Sequence, residues 1–231
     1  MLFLRVSDLK PSRFQLSQLK PTFVGILAIF AIGLASVVLA SPVFAHPGSG
    51  HSIPQTGFAA FMSGLIHPLT GFDHLAFIVA LGLLASTVGR RGLAVPVLVI
   101  ATVLVGAILP IAGTHLPALE TVISASVLGL GLVLAWQRQP NLALIASCAA
   151  IFGIFHGYAY GELVAGASAG LLAGYYAGLT IAHVVLGFLA YGAGQLLRSY
   201  RNDEAPNLGL RFAGFAICGV GMTLLSSVVL V

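Results

Sequence analysis

Two histidines and an aspartate interrupt a long apolar run in the stretch His67-Pro68-Leu69-Thr70-Gly71-Phe72-Asp73-His74. Imidazole is a natural ligand for late first-row divalent cations, nickel and cobalt included, and one nearby carboxylate offsets part of the ion's charge. An ionised carboxylate at the centre of a membrane helix costs about 2.5–3.5 kcal/mol on insertion scales, so such groups usually face a protein interior or a water-filled path. His67, Asp73 and His74 therefore predict part of a transient cation site. The alternative is a hydrogen-bonded polar cluster that only fastens two helices together.

The geometry of this stretch depends on a bend. In an unbroken helix the side chains of His67 and His74 share a face but lie about 10 Å apart, which is too far to bind one ion directly. Pro68 has no backbone donor and Gly71 is conformationally permissive, so we expect the run to divide at HPLTG. A short helix near residues 55–66 would then lead through a bend into a spanning helix that starts near Pro68.

Other histidines fall inside or beside apolar segments. His156 shares a helical face with Tyr160 four residues later, and could line a path or be a core histidine bonded to a backbone carbonyl. His183 is equally compatible with a pathway and with packing. His46 and His51 precede the first span, where they predict a loose metal-collecting site at the outer face or a merely polar tail.

Composition identifies the environment of these residues. The 231-residue chain is 58% hydrophobic and 7% charged, with a mean hydropathy of +1.05. So few charges cannot cover a water-facing surface, whereas a lipid-facing surface needs none. Long continuous apolar runs predict an all-α polytopic membrane bundle and not a β-barrel. The basic residues never gather into a patch, so no nucleic-acid partner is indicated.

The first 45 residues resemble a secretory leader. Basic residues precede an apolar stretch from residue 22 to residue 40, and small residues at Val43 and Ala45 fit cleavage after Ala45. We expect residues 1–45 to be a cleavable signal peptide, with an uncleaved helix as the alternative. Residues 46–54 would form a His-containing extracytoplasmic N-terminus, and residues 55–231 the transmembrane domain.

Six transmembrane helices are predicted after the leader, near residues 55–88, 93–112, 118–136, 141–162, 167–197 and 210–231. Arginines fall in alternate connections between them, whereas the intervening connections carry Glu120 and Glu162 but no Lys or Arg. By the positive-inside rule both mature termini should be extracytoplasmic in a bacterial cytoplasmic membrane.

Glycines recur at every fourth position in two of these spans, where small residues let helix backbones approach closely. We expect the two glycine faces to pack together, although a flexible or broken segment is the competing interpretation. The predicted helix-packing glycines are Gly153, Gly157, Gly161, Gly166, Gly170, Gly174 and Gly178.

The sequence HPLTGFDH at residues 67–74 resembles the first-helix signature of the HupE/UreJ family of nickel and cobalt permeases, bacterial membrane proteins associated with hydrogenase, urease or cobalamin metabolism. FHGYAYGE at residues 155–162 is similar to the family's second, less specific motif. The resemblance implies that His67, Asp73 and His74 are essential for metal passage, and that His156 and Glu162 are the polar members of the second motif. Relatives often have another histidine in place of Tyr160, and their acidic residue commonly follows one position after Glu162.

Together these features predict a divalent-cation permease that carries Ni²⁺ or Co²⁺ as substrate and holds no permanent cofactor. Its expected partners are the ion and the lipid bilayer; a homo-oligomer and proteins of metalloenzyme maturation or cobalamin metabolism are further candidates. The main alternative is a non-transporting accessory protein that binds metal for delivery. An intramembrane hydrolase is a third alternative, because Gly166-Ala167-Ser168-Ala169-Gly170 fits G-x-S-x-G and His183 could act as base. This motif requires a strand before the serine, whereas here a membrane helix is predicted, so we do not expect an enzyme.

Overall fold

The structure, a computed structural model, describes residues 54–136, 140–199 and 207–230, and the described residues form helices and their connections without strands. Seven α-helices and a 3₁₀ turn make up this part of the chain. They are α1 (Gly57–Thr70), α2 (Phe72–Thr87), the 3₁₀ turn (Gly89–Leu93), α3 (Ala94–Ile108), α4 (Leu119–Ala135), α5 (Leu142–Leu163), α6 (Ala169–Ser199) and α7 (Leu208–Val229).

The predicted break in the first span is confirmed, but it lies at Gly71. Gly71 has an extended backbone conformation (φ −80°, ψ 104°) that ends α1 and begins α2, and the two helices meet at a bend of 72°. The expectation that the second helix starts near Pro68 is wrong, because Pro68 lies within α1. A proline inside a helix removes one backbone hydrogen bond, and here the helix continues for two more residues, to Thr70.

The chain is a multi-pass membrane protein. Among the residues that the structure describes, four helical segments are long and apolar enough to cross a bilayer, and the bent pair α1–α2 is a fifth candidate. The helix α4 is apolar but has only 17 residues. A helix of about 20 residues crosses the hydrocarbon upright.

Helices α1 and α2 contact α6 one after the other along its length. Gly57 of α1 lies beside Gly174 of α6, whereas Gly82 and Ser86 of α2 lie beside Gly187 and Gly194. From residue 174 to residue 194 a helix rises about 30 Å, which is the thickness of the hydrocarbon. The contacts therefore follow one another along the whole length of a span, as expected for a broken transmembrane segment.

The predicted glycine faces pack on other helices and not on each other. Each glycine of α5 lies within contact distance of α3, where an added Cβ would be 2.1–2.2 Å from the nearest atom; these glycines are Gly153, Gly157 and Gly161. Gly174 and Gly178 of α6 lie against α1. Gly166 precedes α6 and, like Gly170, has open space around it. The expectation that the α5 and α6 faces meet is wrong, because each is already covered by a neighbour.

Arginines cluster where the helices end. The guanidinium of Arg198, near the end of α6, donates a hydrogen bond to the carbonyl of Ser86 at the end of α2. Arg211, near the start of α7, donates from Nε to the carbonyl of Ala135 at the end of α4 (3.3 Å). Arg90 and Arg91 lie in the 3₁₀ turn that follows α2. Because successive helices reverse direction, these four arginines lie at one end of the bundle.

Candidate metal site

The bend between α1 and α2 brings together the two histidines of the HPLTGFDH stretch. His67 lies in the last turn of α1 and His74 in the first turn of α2, and their ring centroids are 5.5 Å apart. His67 is half-buried, whereas His74 is 4% exposed. The bend shortens the separation expected for a straight helix, which is about 10 Å.

Asp73 lies at the edge of this pair. Its Oδ2 is 3.8 Å from Nε2 of His74, and its side chain is 28% exposed. The carboxylate is thus partly accessible while the imidazole is enclosed. A carboxylate beside an enclosed imidazole is the donor combination that suits a borderline divalent cation.

Glycine at position 71 leaves the room that this arrangement occupies. A Cβ there would lie 2.7 Å from Cδ2 of His74 and 3.2 Å from Oδ1 of Asp73. Since the φ of −80° is open to any residue, the glycine is required here by the neighbouring side chains and not by its backbone conformation.

Two aromatic rings hold the histidines of the site. Tyr160 of α5 stacks on His74 with centroids 4.1 Å apart, and its ring also lies 5.3 Å from that of His67. Phe77 of α2 stacks on His156 at 3.9 Å with an interplanar angle of 13°. Both stacked histidines therefore have fixed ring planes.

His156 lies deeper in the bundle and is fully buried. Its Nδ1 is 3.0 Å from Nδ1 of His74, and its Nε2 is 3.0 Å from Oγ of Ser126 on α4. Both ring nitrogens are thus engaged by protein partners. An ion that bound to His156 would therefore have to displace one of these two partners.

His183 of α6 continues the polar track beyond Tyr160, with ring centroids 5.4 Å apart. Its Nδ1 donates to the carbonyl of Leu179 at 2.9 Å, so its Nε2 carries the lone pair. His183 also lines a small cavity of about 10 Å³ between α2, α3 and α6, which is near the least volume that holds one water.

Three buried polar atoms around this track have no hydrogen-bond partner among the described residues: the hydroxyls of Tyr160 and Tyr175, and Nε2 of His183. Buried polar groups are nearly always paired, and leaving one unpaired costs about 1–3 kcal/mol. The ring of Tyr160 contacts those of His74 and His183, so two of the three unpaired atoms belong to side chains that contact one another beside His74.

The remaining predicted ligands lie elsewhere. Glu162 is exposed near the end of α5, whereas His74, His156 and His183 are buried. His46 and His51 lie outside the described residues, as do residues 1–45 with the predicted leader. Ser126 and Tyr175 were not predicted, because similar residues stand close to them in the same helices, Ser124 and Tyr176, and nothing in the local sequence distinguishes one from the other.

Within residues 54–136, 140–199 and 207–230, no three His, Cys, Asp or Glu side chains are arranged so that they could hold a metal ion together. Pairs of donors are nevertheless close. An ion about 2.0–2.1 Å from one nitrogen of each imidazole would be roughly 3 Å from each ring centroid. The centroids of His67 and His74 are 5.5 Å apart, so one ion could lie between the two rings. The arrangement therefore suits coordination by a few ligands.

The hydrolase alternative fails on distance. Ser168 is exposed and precedes α6, whereas His183 is buried 15 residues later in the chain. This separation corresponds to about 22 Å along a helix. The two side chains therefore cannot form a nucleophile–base pair.

Comparison with known proteins agrees with this architecture. The sequence profile of the family described as "HupE / UreJ protein" matches residues 26–224. The chain is 35% identical over 189 residues to "Protein HupE" of Rhizobium leguminosarum bv. viciae, which covers 81% of this chain and 93% of that relative. No solved structure matches the chain. A match over most of the sequence, together with an all-helical membrane bundle, shows that the chain belongs to the HupE/UreJ family.

Proposed function

We propose that the protein is a permease that moves Ni²⁺ or Co²⁺ across the bacterial cytoplasmic membrane through a site formed by His67, Asp73 and His74. The observation that carries this proposal is the bend at Gly71, which brings the rings of His67 and His74 to 5.5 Å within a bent pair of apolar helices, with the carboxylate of Asp73 3.8 Å from His74. Discontinuous membrane helices are a recurring way of building an ion site at mid-membrane. Few ligands suit an ion that must also leave.

The unpaired polar atoms extend the site into a path. Hydroxyls of Tyr160 and Tyr175 can bond the water that a hydrated ion retains, and Nε2 of His183 can accept from such water or bind the ion. The carboxylate of Asp73 is partly exposed whereas His183 is buried beyond Tyr160. An ion would thus meet Asp73 and His67 first, and would then pass Tyr160 towards His183.

The other predicted ligands have subordinate roles in this proposal. His156 supports His74 through its Nδ1. Glu162 is exposed at the end of α5 where α6 begins, so it would contribute negative charge at the outer mouth. His46 and His51 would gather metal outside the membrane once residues 1–45 are removed.

The proposed topology has six spans with both mature termini extracytoplasmic, and it counts α4 as a short sixth span. The clustering of Arg90, Arg91, Arg198 and Arg211 at one end of the bundle supports it, because that end would face the cytoplasm. In the proposed mechanism the protein is not an enzyme and holds no permanent cofactor.

Replacing Asp73 by asparagine tests the proposal. Asp73→Asn keeps the side chain's shape but removes the charge, so we expect Co²⁺ and Ni²⁺ flux into proteoliposomes to fall by more than about tenfold, which corresponds to 1.4 kcal/mol of lost interaction. Glu120→Gln is the matched control, since Glu120 is an exposed acid at the start of α4. Undiminished flux with Asp73→Asn would contradict the proposed site.

The same preparation distinguishes a permease from an accessory protein. Flux of Co²⁺ by the unaltered protein, with Mg²⁺ as the comparison ion, supports a permease. Binding of Co²⁺ without any flux would refute transport and would favour delivery of bound metal to a partner.

A further inference from the structure

We infer that Ser126, acting through His156, determines which nitrogen of His74 carries the proton, and that it leaves Nε2 of His74 as a lone pair facing Asp73. Ser126 and His156 are then positioning residues for the metal ligand. The effect of this protonation pattern on metal binding by His74 rests on the proposed function. The pattern itself does not, because it follows from the hydrogen bonds within the protein.

A chain of polar contacts links α4 to α2 through α5. Oγ of Ser126 lies 2.6 Å from the carbonyl oxygen of Ile123 and 3.0 Å from Nε2 of His156. Nδ1 of His156 in turn lies 3.0 Å from Nδ1 of His74. Ser126 and His156 are both fully buried and His74 is 4% exposed, so water does not compete along this chain.

The donor direction follows from the Ile123 carbonyl. A carbonyl only accepts, so the single hydroxyl proton of Ser126 is used in the 2.6 Å bond. Ser126 must then accept from His156, whose Nε2 therefore bears a proton. Neutral imidazole has one N–H, so Nδ1 of His156 is an acceptor and Nδ1 of His74 must be the donor. His74 is consequently left with a lone pair on Nε2.

That lone pair faces an acceptor. Nε2 of His74 is 3.8 Å from Oδ2 of Asp73, and in this protonation state neither atom has a proton to share with the other. An ion about 2.0–2.2 Å from each of them fits between two atoms at this separation. A cation is therefore the partner that both atoms can share.

The opposite direction of these hydrogen bonds would block the position between His74 and Asp73. If Ser126 donated to His156 instead, His156 would donate to His74 through Nδ1, and His74 would carry its proton on Nε2. That proton would occupy the position facing Asp73, and the nitrogen could not bind metal without losing it. The Ser126–Ile123 bond thus keeps the ligand in its metal-binding form, as outer hydrogen bonds do for histidines in metal sites.

The direct test is to observe the protons. We suggest the full-length protein in lipid nanodiscs with ¹³C,¹⁵N-labelled histidine and no metal, studied by solid-state NMR. Nitrogen–carbon correlations distinguish Nδ1 from Nε2, and the His74→Gln variant identifies the His74 signals. We expect His74 to be protonated at Nδ1 and His156 at Nε2.

Ser126→Ala is the perturbing variant. It leaves the Nε2 proton of His156 without an acceptor, so we expect His156 to move its proton to Nδ1 and His74 to move its own to Nε2. Co²⁺ affinity, measured by isothermal titration, should fall by about 10- to 100-fold, as for other outer-ligand changes. Ser126→Thr retains a hydroxyl and should restore both the protonation pattern and the affinity.

Ser124→Ala provides the matched control. Ser124 is also buried on α4, but two residues along a helix turn its side chain by about 200° away from Ser126. This variant loses a buried hydroxyl from the same helix, and we expect neither the His74 signals nor the Co²⁺ affinity to change.

The outcomes separate the two proposals. Protonation of His74 at Nε2 in the unaltered protein would overturn the inference, and so would Ser126→Ala with unchanged histidine signals and unchanged affinity. The inferred protonation pattern, together with absence of any metal flux by the unaltered protein, would support the inference and refute the proposed function. The decisive protonation pattern is that of the unaltered protein, with His74→Gln used only to identify its signals, so a failure of Ser126→Ala to fold does not prevent the test.

Discussion

Gly71→Ala tests whether the bend region is built to fit His74. The added Cβ would lie 2.7 Å from Cδ2 of His74, whereas carbon atoms in contact are normally about 3.5–4.0 Å apart. The imidazole would have to move by about 1 Å. It cannot move freely, because it is stacked on Tyr160 and bonded to His156.

Such a displacement would break the polar chain at its first link. The Nδ1–Nδ1 distance between His74 and His156 is 3.0 Å, and moving one ring by about 1 Å takes it beyond hydrogen-bond range. We expect Gly71→Ala to lower Co²⁺ affinity and flux by about 10- to 100-fold, the range for a lost outer-ligand contact. Overpacking should lower the free energy of unfolding by about 1–3 kcal/mol.

Thermal unfolding in nanodiscs and Co²⁺ flux in proteoliposomes would measure these two effects. Gly129→Ala is the control, because Gly129 lies within α4 and an added Cβ there meets nothing within 4 Å. Alanine also favours helix over glycine, so this control should be as stable as the unaltered protein or more stable. If Gly71→Ala transported Co²⁺ normally, the close fit at His74 could not be required for the site.

Three further predictions use the same preparations. Tyr160→Phe keeps the stacked ring but removes an unpaired buried hydroxyl. Metal flux should therefore fall, while the free energy of unfolding is unchanged or rises by about 1 kcal/mol. A lower melting temperature would instead show that the hydroxyl is hydrogen-bonded. Gly157→Ala places a Cβ 2.1 Å from a backbone oxygen of α3 and should destabilise the protein by about 1–3 kcal/mol, whereas Gly170→Ala, in open space, should leave the melting temperature unchanged. In a background without the two native cysteines, Arg90→Cys should react with a membrane-impermeant thiol reagent only in inverted vesicles; labelling in intact cells would reverse the proposed topology.

Local sequence predicted the broken first span because its cause is local. Glycine and proline change backbone freedom at their own positions, so HPLTG indicates a break without knowledge of the rest of the fold. Its exact position was not predictable in the same way. Pro68 is buried inside α1, and the space that position 71 leaves for His74 and Asp73 is visible only in the folded structure.

The supports of the site depend on long-range contacts that the sequence does not reveal. Ser126 is 30 residues from His156, and His156 is 82 residues from His74. Each of these polar groups, taken singly, is compatible with an ordinary bond to its own helix. Whether these groups contact one another depends on which helices are neighbours in the fold. The packing partners of the glycine faces depend on the same helix arrangement.

Gly71 determines both the path of the backbone and the space available to the site. Its extended backbone ends α1 and sets the 72° bend that brings the rings of His67 and His74 to 5.5 Å. Its missing side chain leaves the space in which His74 can reach both His156 and Asp73. A residue that only broke the helix would satisfy the first requirement and fail the second, because any Cβ would enter the volume of the imidazole. The requirement for glycine at this position is therefore set by the chemistry of the site as well as by the path of the chain.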